Sequence, residues 1–338
     1  MKTAITNQLE NQTTAVAPAP KSRTTKVLIA LASLILLTMI VLAALPPLIV
    51  GGMVNQHITF SETWTGTEYG LDSETLTLTT SDGLSIVAYE VPAEQPKAII
   101  IFLSGLHNPS VTAFFGHARL LHDHGYASVL VEMRARGESE GEVIGLGYKE
   151  YLDAQAAVAY IKDQRRYADT PIVAYGLSMG GGAAINAIGQ TPDIDGLITL
   201  SAFSAWDELF VDHMGIPEPL GAVQRPFVRL YTGIKYGWDS RHITPRRQIQ
   251  NLGDRPVLLI HSTADSQVPY ANFERLLAVA PAHVESWVRE GDLHFIVQPG
   301  NFLQPQEDTE YAERILRFLN RHFGGTVSTS PIREQQNE

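Results

Sequence analysis

Cysteine is absent from this chain of 338 residues. Disulfide staples, thiolate metal sites and a cysteine nucleophile are therefore excluded, and the compartment is left open, because an adequate core can hold a domain together without disulfides. Positive charge is scarce as well: 25 Lys and Arg stand against 36 Asp and Glu, for a formal charge of -11. No nucleic-acid partner is expected, since phosphate binding needs clustered Lys and Arg and no such run occurs. The apolar share of 44% is ordinary for globular material and sufficient for a sizeable core.

One long stretch lacks charge altogether. From Val27 to Val54 there is no Asp, Glu, Lys or Arg, and residues 27–50 are almost wholly apolar. At about 1.5 Å per residue this run reaches about 36 Å, more than a hydrocarbon core of about 30 Å. The run predicts a single transmembrane helix over 27–50, kinked or ended near Pro46 and Pro47, with Gly51 and Gly52 opening a linker over 51–72. Lys21, Arg23 and Lys26 precede the span, and no Lys or Arg follows it before Lys97. This asymmetry predicts a cytoplasmic N-terminus, with residues 1–26 a disordered cytoplasmic segment and the body of the protein on the outer side of the cell membrane. A cleaved signal peptide is the competing reading, and the length of the leader and of its apolar run disfavours it.

Beyond residue 73, short β-branched runs alternate with amphipathic stretches, the pattern of a mostly parallel sheet flanked by helices. Strands are expected at 76–80, 84–91, 98–103, 127–132, 171–175, 197–201, 256–261 and 284–289, the first two as a hairpin around Ser81-Asp82-Gly83. Helices are expected near 112–124, 147–166, 179–189, 269–279 and 308–322. Residues 205–255 break the rhythm, being too long for an ordinary crossover and carrying Trp206, Phe210, Phe227, Tyr231, Tyr236 and Trp238. They read as a small, mostly helical cap over the sheet edge where ligands bind, with a longer packed crossover as the alternative. The domain so defined covers 73–323, and 324–338 reads as a flexible tail.

The chemistry centres on Gly176-Leu177-Ser178-Met179-Gly180, which follows a buried strand and precedes an Ala-rich helix. A serine at such a strand-to-helix turn projects its hydroxyl from the sheet, and glycines two positions either side give the room the turn needs. The N–H groups at the start of the next helix, beginning with Met179, point to where a carbonyl oxygen would become anionic. A Gly-rich turn that only serves close packing is the bland alternative. A serine hydroxyl needs a base. His294, in the loop Glu290-Gly291-Asp292-Leu293-His294 between the last expected strand and the last helix, has the best position among eleven histidines. His122, His124, His283 and His322 fall on expected helices or their ends, and His57 lies beside the membrane; His107, in a loop near the site, is less easily set aside. Asp265 follows the strand ending at His261 and is the carboxylate expected to orient His294, with Asp207 as fallback and Asp292 too near His294 in sequence. A turn-forming Asp is the alternative role for Asp265.

With these residues in the order Ser, Asp, His, the chain from about 75 to 323 resembles the α/β-hydrolase superfamily, and within it the bacterial small-cap hydrolases: esterases, lysophospholipases and serine-aminopeptidase-like enzymes. The match rests on the Gly176–Gly180 elbow, on Val268-Pro269 shortly after Asp265, and on Gly291-Asp292-Leu293-His294. Leu103-Ser104-Gly105-Leu106-His107 resembles the superfamily's oxyanion loop, which implies that the Leu106 N–H joins that of Met179. Met133-Arg134-Ala135-Arg136-Gly137-Glu138-Ser139-Glu140-Gly141 resembles the loop after the next strand, implying a structural role for Arg136, bonding loop carbonyls, and for Gly141, turning the chain. Two departures are Ser104-Gly105 and His261-Ser262, each where the superfamily usually has His-Gly. The resemblance implies acyl transfer without cofactor or metal, and an aromatic cap beside an anchoring helix points to a small acyl or lipid-like substrate. An aminopeptidase-like enzyme would need a cap carboxylate to hold the substrate amine, for which Asp207, Glu208, Asp212 and Glu218 are available, and a catalytically inactive interaction protein is the reading from outside enzymology.

Overall fold

The computed structural model describes residues 23–107, 109–217 and 219–324. Most of the leader expected over 1–26, the tail beyond Gly324 and Glu218 thus lie outside the described residues. The chain divides into a unit ending at Ala44 and a unit beginning at Leu45. The described part of the first unit is helical and belongs to α1 (Arg23–Val54), which is long and apolar enough to cross a membrane; a signal sequence near the N-terminus meets the same test. The helix already includes Arg23 to Lys26, four residues expected to be disordered, and it passes through Pro46, Pro47, Gly51 and Gly52 to Val54. The expectation that these residues end the helix is corrected, and the reason is tertiary. Val50 and Val54 are buried in the core of the second unit, and the Asn55 N–H still reaches the Gly51 carbonyl at 3.0 Å, so packing outweighs the local helix penalties of Pro and Gly. The stretch expected as a free linker is likewise bound to the domain: Ile58 exchanges backbone hydrogen bonds with Ala135 and Gly137, both 2.8 Å.

The second unit is built on eight strands, β1 (Glu74–Thr79), β2 (Ser85–Val91), β3 (Ile99–Leu103), β4 (Ala127–Val131), β5 (Ile172–Leu177), β6 (Gly196–Leu200), β7 (Val257–Ser262) and β8 (Glu285–Arg289). The helices after α1 are α2 (Phe115–His122), α3 (Tyr151–Asp163), α4 (Met179–Gln190), α5 (Trp206–His213), α6 (Arg225–Tyr236), α7 (Pro245–Gln248), α8 (Ala271–Leu277) and α9 (Thr309–Phe323). The expected strands and helices are all present, and residues 205–255, read as a cap, hold the helices α5, α6 and α7. Sheet order is β1-β2-β4-β3-β5-β6-β7-β8, antiparallel at β1-β2-β4 and parallel from there on. This is an α/β-hydrolase fold.

Strand β3 shows why the sheet is buried on both faces. All five of its residues are inaccessible: Ile99, Ile101 and Leu103 enter one core layer, Ile100 and Phe102 the other. The order reverses at β3, with β4 on one side and β5 on the other, and the crevice beyond the carboxyl ends of the strands at such a point is where ligands bind in open α/β sheets.

The loop after β4 is held by buried charge. Arg134 pairs with the inaccessible Asp153 at 2.7 Å and with Asp82 at 2.7 Å. Glu132 accepts from the Ser110 hydroxyl at 2.6 Å and the Val111 N–H at 3.1 Å. Burial pushes Glu132 up to about 7, although Ser110, Arg136 and Val111 pull the other way, and burial pushes Asp153 up to about 6 against the pull of Arg134. A carboxyl whose folded pKa exceeds its unfolded one holds its proton more tightly in the native state. Its contribution to stability is complete below the unfolded value, 4.5 for Glu132, and is lost as pH rises through about 7. Glu132→Gln keeps the shape of the neutral acid. Thermal unfolding in detergent micelles should therefore show E132Q gaining on wild type between pH 5 and 8, by on the order of 2 kcal/mol; a difference that does not vary with pH would contradict this.

Candidate active site

Strand β5 ends at Leu177 and α4 begins at Met179, so Ser178 alone makes the turn. Its φ of 56° and ψ of -116° form a conformation that costs a non-glycine residue about 1–3 kcal/mol and persists only where the surroundings impose it. They do: the Ser178 N–H donates to the Leu200 carbonyl at 2.7 Å, and the Ser178 carbonyl accepts from Gly182 at 3.1 Å. The flanking glycines are sterically required. A Cβ on Gly176 would lie 2.2 Å from the Gly180 carbonyl oxygen, and one on Gly180 would lie 2.2 Å from that of Leu103 and 2.4 Å from that of Ser104. The N-terminus of α4 thus rests directly on the chain leaving β3.

That contact sets the loop after β3 against the start of α4, the two segments from which oxyanion donors are expected. Leu103 pairs with Gly176 in the sheet, so residues 104–106 leave β3 beside Ser178. The Leu106 carbonyl accepts from the buried Arg136, Nη2 at 2.7 Å and Nε at 3.2 Å, while Nη1 reaches the Arg134 carbonyl at 3.3 Å. Arg136 therefore has the structural role expected for it, and Gly141, with φ of 115°, turns the chain. Met179 opens α4, where N–H groups lack acceptors within the helix and the helix dipole favours negative charge. Ser178, Met179 and Leu106 line one cavity.

Asp265 and His294 come from the loops after β7 and β8, which are neighbours in the sheet. His294 Nδ1 lies 3.0 and 2.9 Å from the two Asp265 oxygens. Burial raises the Asp265 carboxyl, but hydrogen bonds from the His294 ring and the Val268 N–H outweigh it and hold the group below the usual carboxylate range. The two loops are tied together by bonds the sequence did not disclose. Leu293 N–H donates to Ser262 Oγ at 3.1 Å, Ser266 N–H to Asp292 at 3.0 Å, and Ala264 N–H to the Gly291 carbonyl at 3.0 Å. Asp292, set aside as an acid, anchors the loop that carries Asp265. His261 and Ser262, the second departure, have roles here: His261 Nε2 sits 2.7 Å from the Val268 carbonyl behind Asp265, and burial lowers its pKa.

The competing residues are engaged elsewhere. His57 places its ring nitrogens 2.9 and 2.8 Å from the Gly141 and Gly137 carbonyls, which raise its pKa. His107 lines the cavity, its Nε2 3.1 Å from the Met53 carbonyl and 3.2 Å from Gln56 Nε2. Asp207 pairs with Arg229 at 2.7 Å, Glu208 with Arg246, and Asp212 with Arg275 at 2.6 Å. The cavity holds about 720 Å³, and His294 and Ser178 both face it. Among the described residues, no Asp, Glu, Lys or Arg lines it. Its lining includes Ile49, Val50 and Met53 at the end of α1, which no sequence signal connected with the site. Among the described residues, no group of three or more His, Asp or Glu could hold a metal ion.

Residues 94–251 match the family model described as serine aminopeptidase, S33. The chain is 26% identical over 198 residues to the uncharacterized protein YqkD of Bacillus subtilis (strain 168), a match over 57% of this chain and 64% of YqkD. It is 22% identical over 214 residues to the uncharacterized protein YfhR of Salmonella typhi, over 62% of this chain and 70% of YfhR. Among solved structures, the Pyrococcus furiosus esterase Pf2001 superposes with a TM-score of 0.61 at 22% identity, over 80% of this chain and 99% of that one. The esterase domain of a Rhodothermus marinus protein gives 0.52 at 18% identity, over 75% of this chain and all of that domain.

The steric role of Gly180 is open to test. Gly180→Ala forces a methyl group into backbone that cannot yield, and should lower stability to urea by about 1–3 kcal/mol or prevent folding. An unchanged unfolding midpoint would contradict the close contact.

Proposed function

We propose that this chain, an α/β-hydrolase, is a membrane-anchored serine hydrolase that cleaves a carboxylic ester through an acyl-enzyme. Ser178 is the nucleophile, His294 the general base and Asp265 the carboxylate that orients it. The observation that carries the reading is the engagement of His294 Nδ1 by both Asp265 oxygens, at 2.9 and 3.0 Å, which leaves Nε2 as the nitrogen for proton transfer. Ser178 Oγ attacks the carbonyl carbon while Nε2 takes its proton. Charge developing on the carbonyl oxygen is met by the N–H groups of Leu106 and Met179. Collapse expels the alcohol, which receives the proton from His294, and water repeats the sequence to free the acid.

An ester is favoured over a peptide with a free amino end. An aminopeptidase needs an acidic group for the substrate ammonium, yet Asp207, Glu208 and Asp212 are each paired with an arginine, and none lines the cavity. The aminopeptidase remains the second reading because the matching family model carries that description. The apolar run of α1 is the anchor, and the basic residues ahead of it favour a cytoplasmic N-terminus with the catalytic unit outside.

A fluorophosphonate probe should label the wild-type protein and spare Ser178→Ala, whose ester turnover should fall by about 10⁴–10⁶, with Asp265→Asn losing about 10⁴. Folded wild type that refuses the probe, or equal labelling of S178A, would overturn the reading.

A further inference from the structure

One part of the cavity lining is Trp206, Leu209 and Phe210 from α5. Another part of the lining comes from outside the sheet and α5. It is the end of α1, where Ile49, Val50 and Met53 recur at helical spacing on one face and look onto the same space as Ser178. Ile49 and Val50 close the apolar run 27–50 and Met53 comes one turn later, so the end of that run also lines the catalytic cavity. The end of α1 is also fixed to the catalytic machinery. The Met53 carbonyl lies 3.1 Å from Nε2 of His107, the residue after Leu106, and the Gln56 side chain donates to the same carbonyl at 2.9 Å.

Just past α1, Lys235 of α6 bonds the Asn55 side chain. Leu230 and Ile234, four apart on α6, are 43% and 69% exposed, and Leu48 is 76% exposed. The cavity itself is largely apolar, free of charged side chains among the described residues, and of a size that suits one small molecule.

Resting on the serine-hydrolase reading above, we infer that the end of the anchor helix is the acyl-chain subsite: Ile49, Val50 and Met53 pack against the chain of a long-chain acyl ester. The anchor then has two functions, holding the enzyme at the membrane and selecting the substrate by chain length. Val50 is buried and supports the wall, whereas Met53 is half-buried and its side chain meets the substrate.

The test uses the full chain in detergent or bilayer discs, with p-nitrophenyl esters from acetate to palmitate. Met53→Trp fills the subsite, and the ratio of kcat/KM for the long-chain ester to that for the short-chain ester should fall about tenfold or more. Met53→Ala only removes atoms, so it guards against a Trp variant that does not fold; it should move the preferred chain length upward. Opposite displacement of the chain-length profile by the two variants supports the subsite. An unchanged profile in both, or an equal loss on every ester, overturns it while leaving the hydrolase reading intact, provided that fluorophosphonate still labels Ser178. Wild-type protein that neither labels nor turns over any ester defeats the hydrolase reading instead.

Discussion

The site depends on a backbone contact with no room for a side chain. At Gly180 the first turn of α4 presses on the carbonyls of Leu103 and Ser104, at distances that a single methyl group would not permit. Because β3 and β5 are paired with Leu103 opposite Gly176, that contact sets the loop after β3 beside the turn at Ser178. The unusual backbone of Ser178 follows from the same geometry, since one residue must turn a buried strand into a helix whose start is already fixed. Leu106 and Met179 thus line one space with Ser178, and in the proposed mechanism their backbone N–H groups meet an anion that exists only transiently.

The second half of the site is organised by electrostatics rather than by contact. Asp265 is buried, which disfavours its charge, and it remains low because His294 and the Val268 N–H favour the ionised form more strongly. The arrangement survives on two loops because these are bonded to each other, through Ser262, Asp292 and Gly291, and because β7 and β8 bring them out side by side. Arg136 does the equivalent for the loop after β3. Its guanidinium, fully buried, spends its donors on the carbonyls of Leu106 and Arg134, so a charge far from the chemistry in sequence fixes the orientation of a residue facing the cavity.

Most of the fold was legible because its signals are local. Strands such as β3 and β5 are uninterrupted apolar runs of strand length, and the turn at Ser178 announces itself by glycines whose necessity is steric. Asp265 and His294 could be nominated by their places after successive strands, since chain order and sheet order coincide from β5 to β8. What sequence could not show was set by distant parts of the chain. Pro46, Pro47, Gly51 and Gly52 are legitimate helix-breaking signals, and they were overridden by burial of Val50 and Val54. The same packing makes Ile49 and Met53 part of the cavity, and it left no trace in local pattern. Asp292 and Ser262 were unreadable for the same reason: their partners lie across two loops, and spacing along the chain carries no information about that.

The central claim is that Ser178, Leu106 and Met179 converge on one carbonyl. A crystal structure of the protein inactivated by a phosphonate tests it most directly. The account predicts phosphorus bonded to Ser178 Oγ, with one phosphoryl oxygen about 2.7–3.1 Å from the backbone nitrogens of both Leu106 and Met179. A covalent adduct on another residue, or a phosphoryl oxygen turned away from both nitrogens, would contradict it.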